Sequence, residues 1–551
     1  MLRLNMRHRV RTGSQRSLPP PFRLRSFDRQ PIHLAMGELM TTLLRTLTRS
    51  VLLAALASTV ASAQALTSLT SVFVGYAGRR ATATPTGELK AKLDSLDRDL
   101  ASANRLGHTG ELRRLFAKGN TLLSGRPWTD SADFANSLLL RTERVVVESQ
   151  KPYTVRLEQL YAPSIELAHS LSAHAALVMR SAGPPATQTT TVVKELKTVH
   201  GVSRDLNESP QEFEFDLRDV PDGRYVVVVD VADSARSLGS TSLAVVLRKG
   251  IDEMASRLES EAKTAPDALR AEVVYPVDRM RNVNRGRLEM RTLDVDRDFA
   301  NADTVLAAVK AHKDPFAGRT GDIKRHYALD DAMEIMPYRM YVPTTYTSSR
   351  ALPLIIALHG LGGTEDSFFD IYGKKLPELA EQHGYIVAAP LGYRVDGQYG
   401  WGLGAPPSDP KTRTLLTLSE EDVMHVLAQV RTLYNVDPDR IYLMGHSMGA
   451  IGTWKLAAKY PDIWAAVGVF SGQGMPATVE QMRRIPQFVV HGDADPIVNV
   501  AGSRTMVAAM KTLGVDVTYI EIPGGNHGSV VEPNFERMYQ FFNAHRKNAK
   551  P

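Results

Sequence analysis

The alternation between residues 352 and 522 constrains this chain more than any other feature. Apolar runs of strand length at 352–358, 385–389, 441–444, 465–470, 488–490 and 517–522 are separated by stretches with helical spacing. A strand that is apolar on both faces must be covered on both, and strands that alternate with helices pair in parallel. The fold class is therefore α/β: a mostly parallel sheet with helices on both faces. Residues 332–343 read as one or two leading strands. Residues 420–434 read as a helix with Ser419 as N-cap and Asp422 three residues on. In such sheets the reactive groups belong at the carboxyl ends of the strands.

Four of those ends carry chemistry. Residues 440–456, RIYLMGHSMGAIGTWKL, read as strand, tight turn and helix, with Gly445 and Gly449 flanking Ser447 at two-residue spacing. Small residues there let the backbone bend sharply and lift the hydroxyl clear of the sheet, which makes Ser447 the candidate nucleophile. His359-Gly360-Leu361-Gly362-Gly363 follows the first strand, and its glycines free the backbone to aim N–H groups at an oxyanion. The candidate hole is formed by the N–H groups of Leu361 and Met448. His491-Gly492-Asp493-Ala494-Asp495 offers two carboxylates, and Gly525-Asn526-His527-Gly528 a glycine-flanked histidine after the last strand. A serine hydroxyl needs a neutral imidazole to take its proton, and the imidazole needs a carboxylate to hold its tautomer. The chain order Ser447, Asp495, His527 is the one found in α/β-hydrolases and not in the other serine-hydrolase folds. His359, His446 and His491 read as structural or packing residues.

With these residues in view, the sequence over roughly 331–547 resembles the α/β-hydrolase superfamily. It is similar to secreted esterases of the polyhydroxybutyrate depolymerase and feruloyl esterase type, and to the catalytic domain of prolyl oligopeptidases. The likeness is carried by Tyr338-Arg339-Met340-Tyr341-Val342-Pro343, Leu358-His359-Gly360, Asp437-Pro438-Asp439-Arg440-Ile441-Tyr442, 445–449, His491-Gly492 with Asp495, and His527-Gly528. The resemblance implies that the acid is the fifth residue of H-G-x-x-D, which selects Asp495 over Asp493. Asp493 is left as a loop-capping carboxylate. Nothing upstream resembles the β-propeller that gates prolyl oligopeptidases. The function expected is a serine hydrolase cleaving carboxylic esters through an acyl-enzyme. A serine peptidase is one alternative, and a non-catalytic polymer-binding protein another.

Between strand and helix, residues 391–418 form an unusually long connection with Tyr393, Tyr399, Trp401 and several glycines. Long loops at this edge serve as lids or binding walls, so Trp401 and Tyr399 are the candidate substrate-binding residues. Trp401 reads equally well as a pin that holds the loop to the domain. No H-E-x-x-H or other metal spacing is present, and neither metal nor cofactor is expected.

Upstream, helical stripes such as Leu89, Leu93, Leu96 and Leu100 give a helical region over 64–150. Period-two patterns such as Phe213, Phe215, Leu217 and Tyr225, Val227, Val229, Val231 give a small β-sandwich of immunoglobulin-like type over 151–249. A helical connector and linker fill 250–322, with 314–322 as the linker proper. The catalytic domain begins at 323. The sandwich reads as a brace for that domain, since no run of exposed aromatics suggests a sugar-stacking surface.

The calculated pI of 9.2 would suit a nucleic-acid partner, but the charge is unevenly placed. Ten arginines against Asp28 and Glu38 within 1–63 account for the whole formal charge of +6, and the remaining body is near neutral. A persistent basic face is missing, which argues against nucleic acid. Within 40–63, arginines precede an apolar run and then Ala61-Ser62-Ala63, the pattern of a secretory signal cut before Gln64, with residues 1–35 upstream of the true start. The expectation is a secreted or periplasmic protein without stable membrane insertion, acting on a small-molecule or polymer ester. The absence of cysteine excludes thiol catalysis, cysteine-zinc and iron-sulfur chemistry.

Overall fold

In the computed structural model, strand β11 (Leu352–Leu358) shows how the sheet acquires two cores. Leu354, Ile356 and Leu358 join a buried cluster with Val423, Trp454 and Met506. Ile355 and Ala357 join a second one with Leu376, Phe535 and Met538. Successive side chains of a strand point to opposite faces, so one apolar run feeds both layers of helices. Each such leucine or isoleucine side chain, fully withdrawn from water, contributes roughly 1.5–3 kcal/mol.

The structure describes residues 69–167, 171–181, 189–233 and 236–547, all within one compact unit, Leu47–Pro551. The expected signal segment at 40–63, its cleavage point at Gln64 and the upstream residues 1–35 lie outside the described residues.

The larger sheet, here the C-terminal sheet, has eight strands in the order β16-β15-β14-β13-β11-β12-β10-β9. They are β9 (Gly321–Leu329), β10 (Glu334–Val342), β11, β12 (Ile386–Pro390), β13 (Val436–His446), β14 (Ala466–Phe470), β15 (Gln487–Gly492) and β16 (Val517–Ile522). Strands β11 to β16 pair in parallel, while β10 lies antiparallel to both β9 and β12. Strand β12 sits on one side of β11 and β13 on the other, so the order reverses at β11. The crevice beyond the carboxyl ends of β11 and β13 is the topological switch point, where open α/β sheets place their ligands. The topology is that of an α/β-hydrolase.

The helix expected at 420–434 is longer, Pro410–Leu433. Asp409 caps it, accepting from Thr412 N–H at 2.8 Å, and Pro410 at the first turn is preset for the helix. Ser419 is therefore no cap. It lies buried within the helix, and its Oγ accepts from Tyr399 N–H at 3.0 Å. The long connection shrinks accordingly to 391–409.

Ahead of the sheet, helices Leu69–Thr82, Gly87–Leu106, Thr109–Leu123 and Asp130–Ser137 end earlier than expected, because β1 (Leu138–Arg141) and β2 (Val146–Val147) already belong to the sandwich. The run Leu138-Leu139-Leu140 is buried on both faces as a strand, so its sequence lacks the alternation that would separate it from a helix. The remaining strands are β3 (Tyr153–Gln159), β4 (Leu171–Arg180), β5 (Thr190–Val202), β6 (Gln211–Phe215), β7 (Gly223–Asp233) and β8 (Arg236–Leu247). They form two sheets, β1-β3-β6 and β2-β8-β7-β4-β5. One core holds side chains from both sheets and from helices Ile251–Ala262, Asp267–Asn284 and Val295–Lys310. The stretch expected to link the domains does not separate them: Phe316 packs against both the sandwich core and the catalytic core.

Helix Asp267–Asn284 covers the outer strand of the C-terminal sheet. Its buried Glu272 accepts from Arg325 Nε and His326 Nδ1, each at 2.6 Å, and from His326 N–H at 3.1 Å. The carboxylate thereby takes up one backbone donor of the edge strand β9, His326 N–H, which would otherwise be open to another chain.

Candidate active site

Strand β13 ends at His446 and helix Met448–Lys459 starts two residues on, so Ser447 makes the turn between them. Its backbone lies at φ 58°, ψ −118°, a region that costs an L-residue about 1–3 kcal/mol. The bend closes only with glycine on either side. A Cβ on Gly445 would stand 2.2 Å from Gly449 O, and one on Gly449 1.9 Å from Leu358 O. Ser447 N–H donates to Phe470 O at 3.0 Å, and its carbonyl accepts from Ile451 N–H at 3.0 Å. These bonds fasten the turn to β14 and to the helix, and leave a half-buried serine at the carboxyl edge of the sheet.

The turn after β11 runs alongside. A Cβ on Gly360 would lie 3.4 Å from Ser447 Cβ, so backbone passes the serine at van der Waals distance. Gly362 N–H donates to Val395 O at 2.8 Å and Gly363 N–H to Gly360 O at 2.9 Å. Among the described residues no acceptor meets the N–H of Leu361 or of Met448. These are the two donors the sequence pointed to, one on a glycine turn and one at a helix start, where an anion is favoured.

His527 Nδ1 stands 2.7 Å from Asp495 Oδ2. An ionised carboxylate only accepts, so the proton sits on Nδ1, and Nε2 keeps the lone pair that a base requires. The two loops are drawn together by backbone, since a Cβ on Gly492 would lie 2.1 Å from Gly525 O. Asp495 is itself held in place: Oδ1 accepts from Ile497 N–H at 2.8 Å and Val498 N–H at 3.0 Å, and Oδ2 also meets His491 Nε2 at 3.1 Å. Burial pushes this carboxyl up, but the hydrogen bonds from His491, His527 and Val498 N–H outweigh it and hold the group well below the usual carboxylate range. Asp493 points elsewhere. Its Oδ1 accepts from Gly524 N–H at 2.6 Å and closes the adjoining loop.

Two further side chains bear on the histidine, and a third bears on one of them. His446 Nε2 lies 2.9 Å from the His527 carbonyl, and Ser471 Oγ donates to the same oxygen at 3.0 Å. A carbonyl cannot donate, so His446 carries its proton on Nε2 and accepts from Tyr372 OH at Nδ1, 2.9 Å away. Burial, then repulsion from His527, lowers His446 to about 4. Tyr372 is in the left-handed region at φ 54°. Sequence reasoning assigned His446 and His491 only packing roles and did not single out Tyr372 or Ser471. A polar residue directly after the apolar run 465–470 was the one available hint for Ser471. Tyr372 reaches its partner across 74 residues of chain, a proximity that no local pattern carries.

The two candidate substrate-binding residues separate. Trp401 is half-buried, with Lys459 Nζ 5.0 Å from its ring centroid, which fits a loop pin. Tyr399 is wholly buried. Its hydroxyl donates to His359 O at 3.1 Å, its ring meets His359 edge to face at 5.7 Å, and it leaves no room for a Cβ on Gly452. The expectation that Tyr399 lines a substrate surface is corrected: the tyrosine plugs the loop into the domain. Lys455 assists by donating to Gln398 O at 3.1 Å and Gly400 O at 2.7 Å, and its burial lowers it to about 8.

An elbow serine at the switch point of an α/β-hydrolase sheet, with a histidine and a carboxylate on later strand ends, defines a class of protein, and comparison with known proteins narrows it. Residues 332–509 match the family model described as "Putative esterase". Feruloyl esterase B of Neurospora crassa is 34% identical over 135 residues, 24% of this chain and 42% of that protein. "Putative esterase NocK" of Nocardia uniformis subsp. tsuyamanensis is 29% identical over 258 residues, 46% of this chain and 61% of its own length. The chain thus spans less than two thirds of these relatives. Among solved structures, a thermostable esterase aligns over 73% of this chain and 97% of its own, at 17% identity and a TM-score of 0.36. A CE1 ferulic acid esterase from Anaeromyces mucronatus aligns over 42% and 96%, at 17% identity and 0.35. The catalytic region resembles the α/β-hydrolase esterases.

Proposed function

We propose that this chain is a serine hydrolase that cleaves carboxylic esters. Ser447 is the nucleophile, His527 the general base and then acid, Asp495 the carboxylate that orients it, and the N–H groups of Leu361 and Met448 the oxyanion donors. The observation that carries the reading is the 2.7 Å contact of His527 Nδ1 with Asp495 Oδ2, which leaves Nε2 unprotonated.

The reaction runs in two steps. His527 Nε2 takes the Ser447 proton as Oγ attacks the ester carbonyl, and the carbonyl oxygen, now negative, is met by two backbone donors; losing one such donor costs about 3 kcal/mol of barrier. His527 returns the proton to the leaving alcohol, and a water activated by the same nitrogen releases the acid. Relatives named as feruloyl and acetylxylan esterases support a carboxylic ester, small or polymer-linked, over a peptide. Export through the segment at 40–63 belongs to the same proposal. Among the described residues no helix is long and apolar enough to cross a membrane.

Labelling with a fluorophosphonate tests the reading. The probe is expected on Ser447 by peptide mapping; labelling of another residue, or none, contradicts it.

A further inference from the structure

The turn that holds Leu361 does not stand alone. The loop after β12 grips it at three points: Leu391 O lies 2.7 Å from His359 Nε2, Tyr399 OH donates to His359 O at 3.1 Å, and Val395 O accepts from Gly362 N–H at 2.8 Å. The last of these contacts is the nearest to the Leu361 N–H, and the residue before Val395 is Arg394.

Arg394 is largely buried, and its ion pair leads out of the catalytic domain. Its Nη2 donates to Glu334 Oε1 at 2.7 Å, at the start of β10, while its Nη1 bonds Tyr393 O at 2.8 Å and the guanidinium stacks 3.8 Å over the Tyr393 ring. The same Glu334 oxygen meets Arg287 Nη1 at 3.6 Å. Arg287 belongs to the region ahead of the C-terminal sheet, just past helix Asp267–Asn284. That helix is fixed beside Glu334 by a second contact, Asp278 Oδ2 accepting from Ile335 N–H at 3.0 Å. Glu334 has only 3% of its side chain exposed, and its other oxygen, Oε2, has no hydrogen-bond partner among the described residues. The two arginines are the cations set against this buried carboxylate, with Asp278 as a like charge nearby, and the pairing ties the Arg394 side chain to the start of β10.

Resting on the ester-hydrolase reading, we propose that Arg394 is a positioning residue for the oxyanion turn, and that Arg287 completes the brace from the accessory region through their shared Glu334 carboxylate. The path is Arg287, Glu334, Arg394, Val395 O, Gly362 N–H and, one residue before it, Leu361 N–H. The helical and sandwich region is then part of the active-site scaffold and not a detachable binding module. An oxyanion donor acts only if it is already aimed at where the charge develops, so loosening this path acts on the transition state more than on substrate binding.

The test uses Arg394→Gln, Arg394→Lys and Arg287→Gln in the full chain. Three readouts are taken: amide exchange over 359–363, kcat and KM on an ester, and inhibition by a trifluoromethyl ketone, which forms an oxyanion adduct on a serine. Arg394→Gln is expected to speed exchange across the turn and lower kcat roughly tenfold. KM should stay within about twofold and the ketone should weaken by the same factor as kcat. Arg287→Gln moves all three the same way by less, and Arg394→Lys recovers part of the loss. Unchanged exchange and kcat in both glutamine variants, or a rise in KM alone, overturns the proposal. Should Arg394→Gln fail to fold, Arg287→Gln decides, since that side chain is half exposed. Exchange needs no turnover, so a wild-type chain inert toward esters would sink the ester reading while the brace is still measured.

Discussion

His527 Nδ1 and Asp495 Oδ2 lie 2.7 Å apart, although 32 residues separate them in the chain. Asp493, two residues from Asp495, bonds Gly524 N–H instead. Asp495→Asn leaves the shape intact but removes the charge and favours the wrong imidazole tautomer. Its kcat should fall on the order of 10⁴-fold, while Asp493→Asn stays within about threefold. Steady-state kinetics on one ester compare them, and a larger loss in Asp493→Asn would move the acid.

His446 makes a prediction about pH. Its folded-state pKa is lowered to about 4, below the roughly 6.5 of an unfolded histidine. Between those values the unfolded chain binds more protons, so stability rises with pH across the window and is lost as pH falls from about 6.5 to 4. His446→Gln keeps a donor for the His527 carbonyl but does not titrate. Its melting temperature should decline less than that of the wild type over the same interval, and parallel curves would contradict the assignment. Asp495 acts in a separate window: its depressed pKa contributes stability above the unfolded value of about 3.9, lost only as pH drops below it.

The glycines of the elbow make a prediction about folding. Gly449→Ala sets a methyl against the Leu358 carbonyl, at a distance of 1.9 Å, and the contacting atom is backbone that cannot swing away. A loss of about 3 kcal/mol or more, the top of the range for overpacked core sites, or failure to fold is expected, because the opposing atom is backbone. Gly404→Ala meets nothing within 4 Å and should change stability by less than about 0.5 kcal/mol. Denaturant unfolding measures both, and equal stabilities would show that the elbow is not as tight as described.

Much of the α/β domain was legible because its strands are apolar runs, and the proposed site residues sit where those runs stop. Ser447, Asp495 and His527 each follow such a run, and the glycines beside them mark the turns. The upstream region was less legible. The run 138–140 has no alternation to mark it as a strand, and the start of helix Pro410–Leu433 rests on one cap, Asp409, that the longer pattern of Ser419 and Asp422 outweighed. Tyr399 carried a loop signal and turned out buried, because polarity and glycine content report that a segment is irregular but not which side chain plugs it in. The ties of His446 to Tyr372 and of Arg394 to Glu334 are products of the tertiary fold, and sequence spacing holds no trace of them.

In the proposed mechanism everything turns on Ser447 as the nucleophile of ester hydrolysis. The most direct measurement is turnover by residues 64–551, beside the Ser447→Ala variant, of p-nitrophenyl acetate and butyrate, methyl ferulate and a prolyl anilide. The esters should be cleaved in preference to the anilide, and Ser447→Ala should lower kcat on the order of 10⁶-fold while its circular dichroism and melting temperature match the wild type. Ester turnover that survives in Ser447→Ala, or a clear preference for the anilide, would contradict that mechanism.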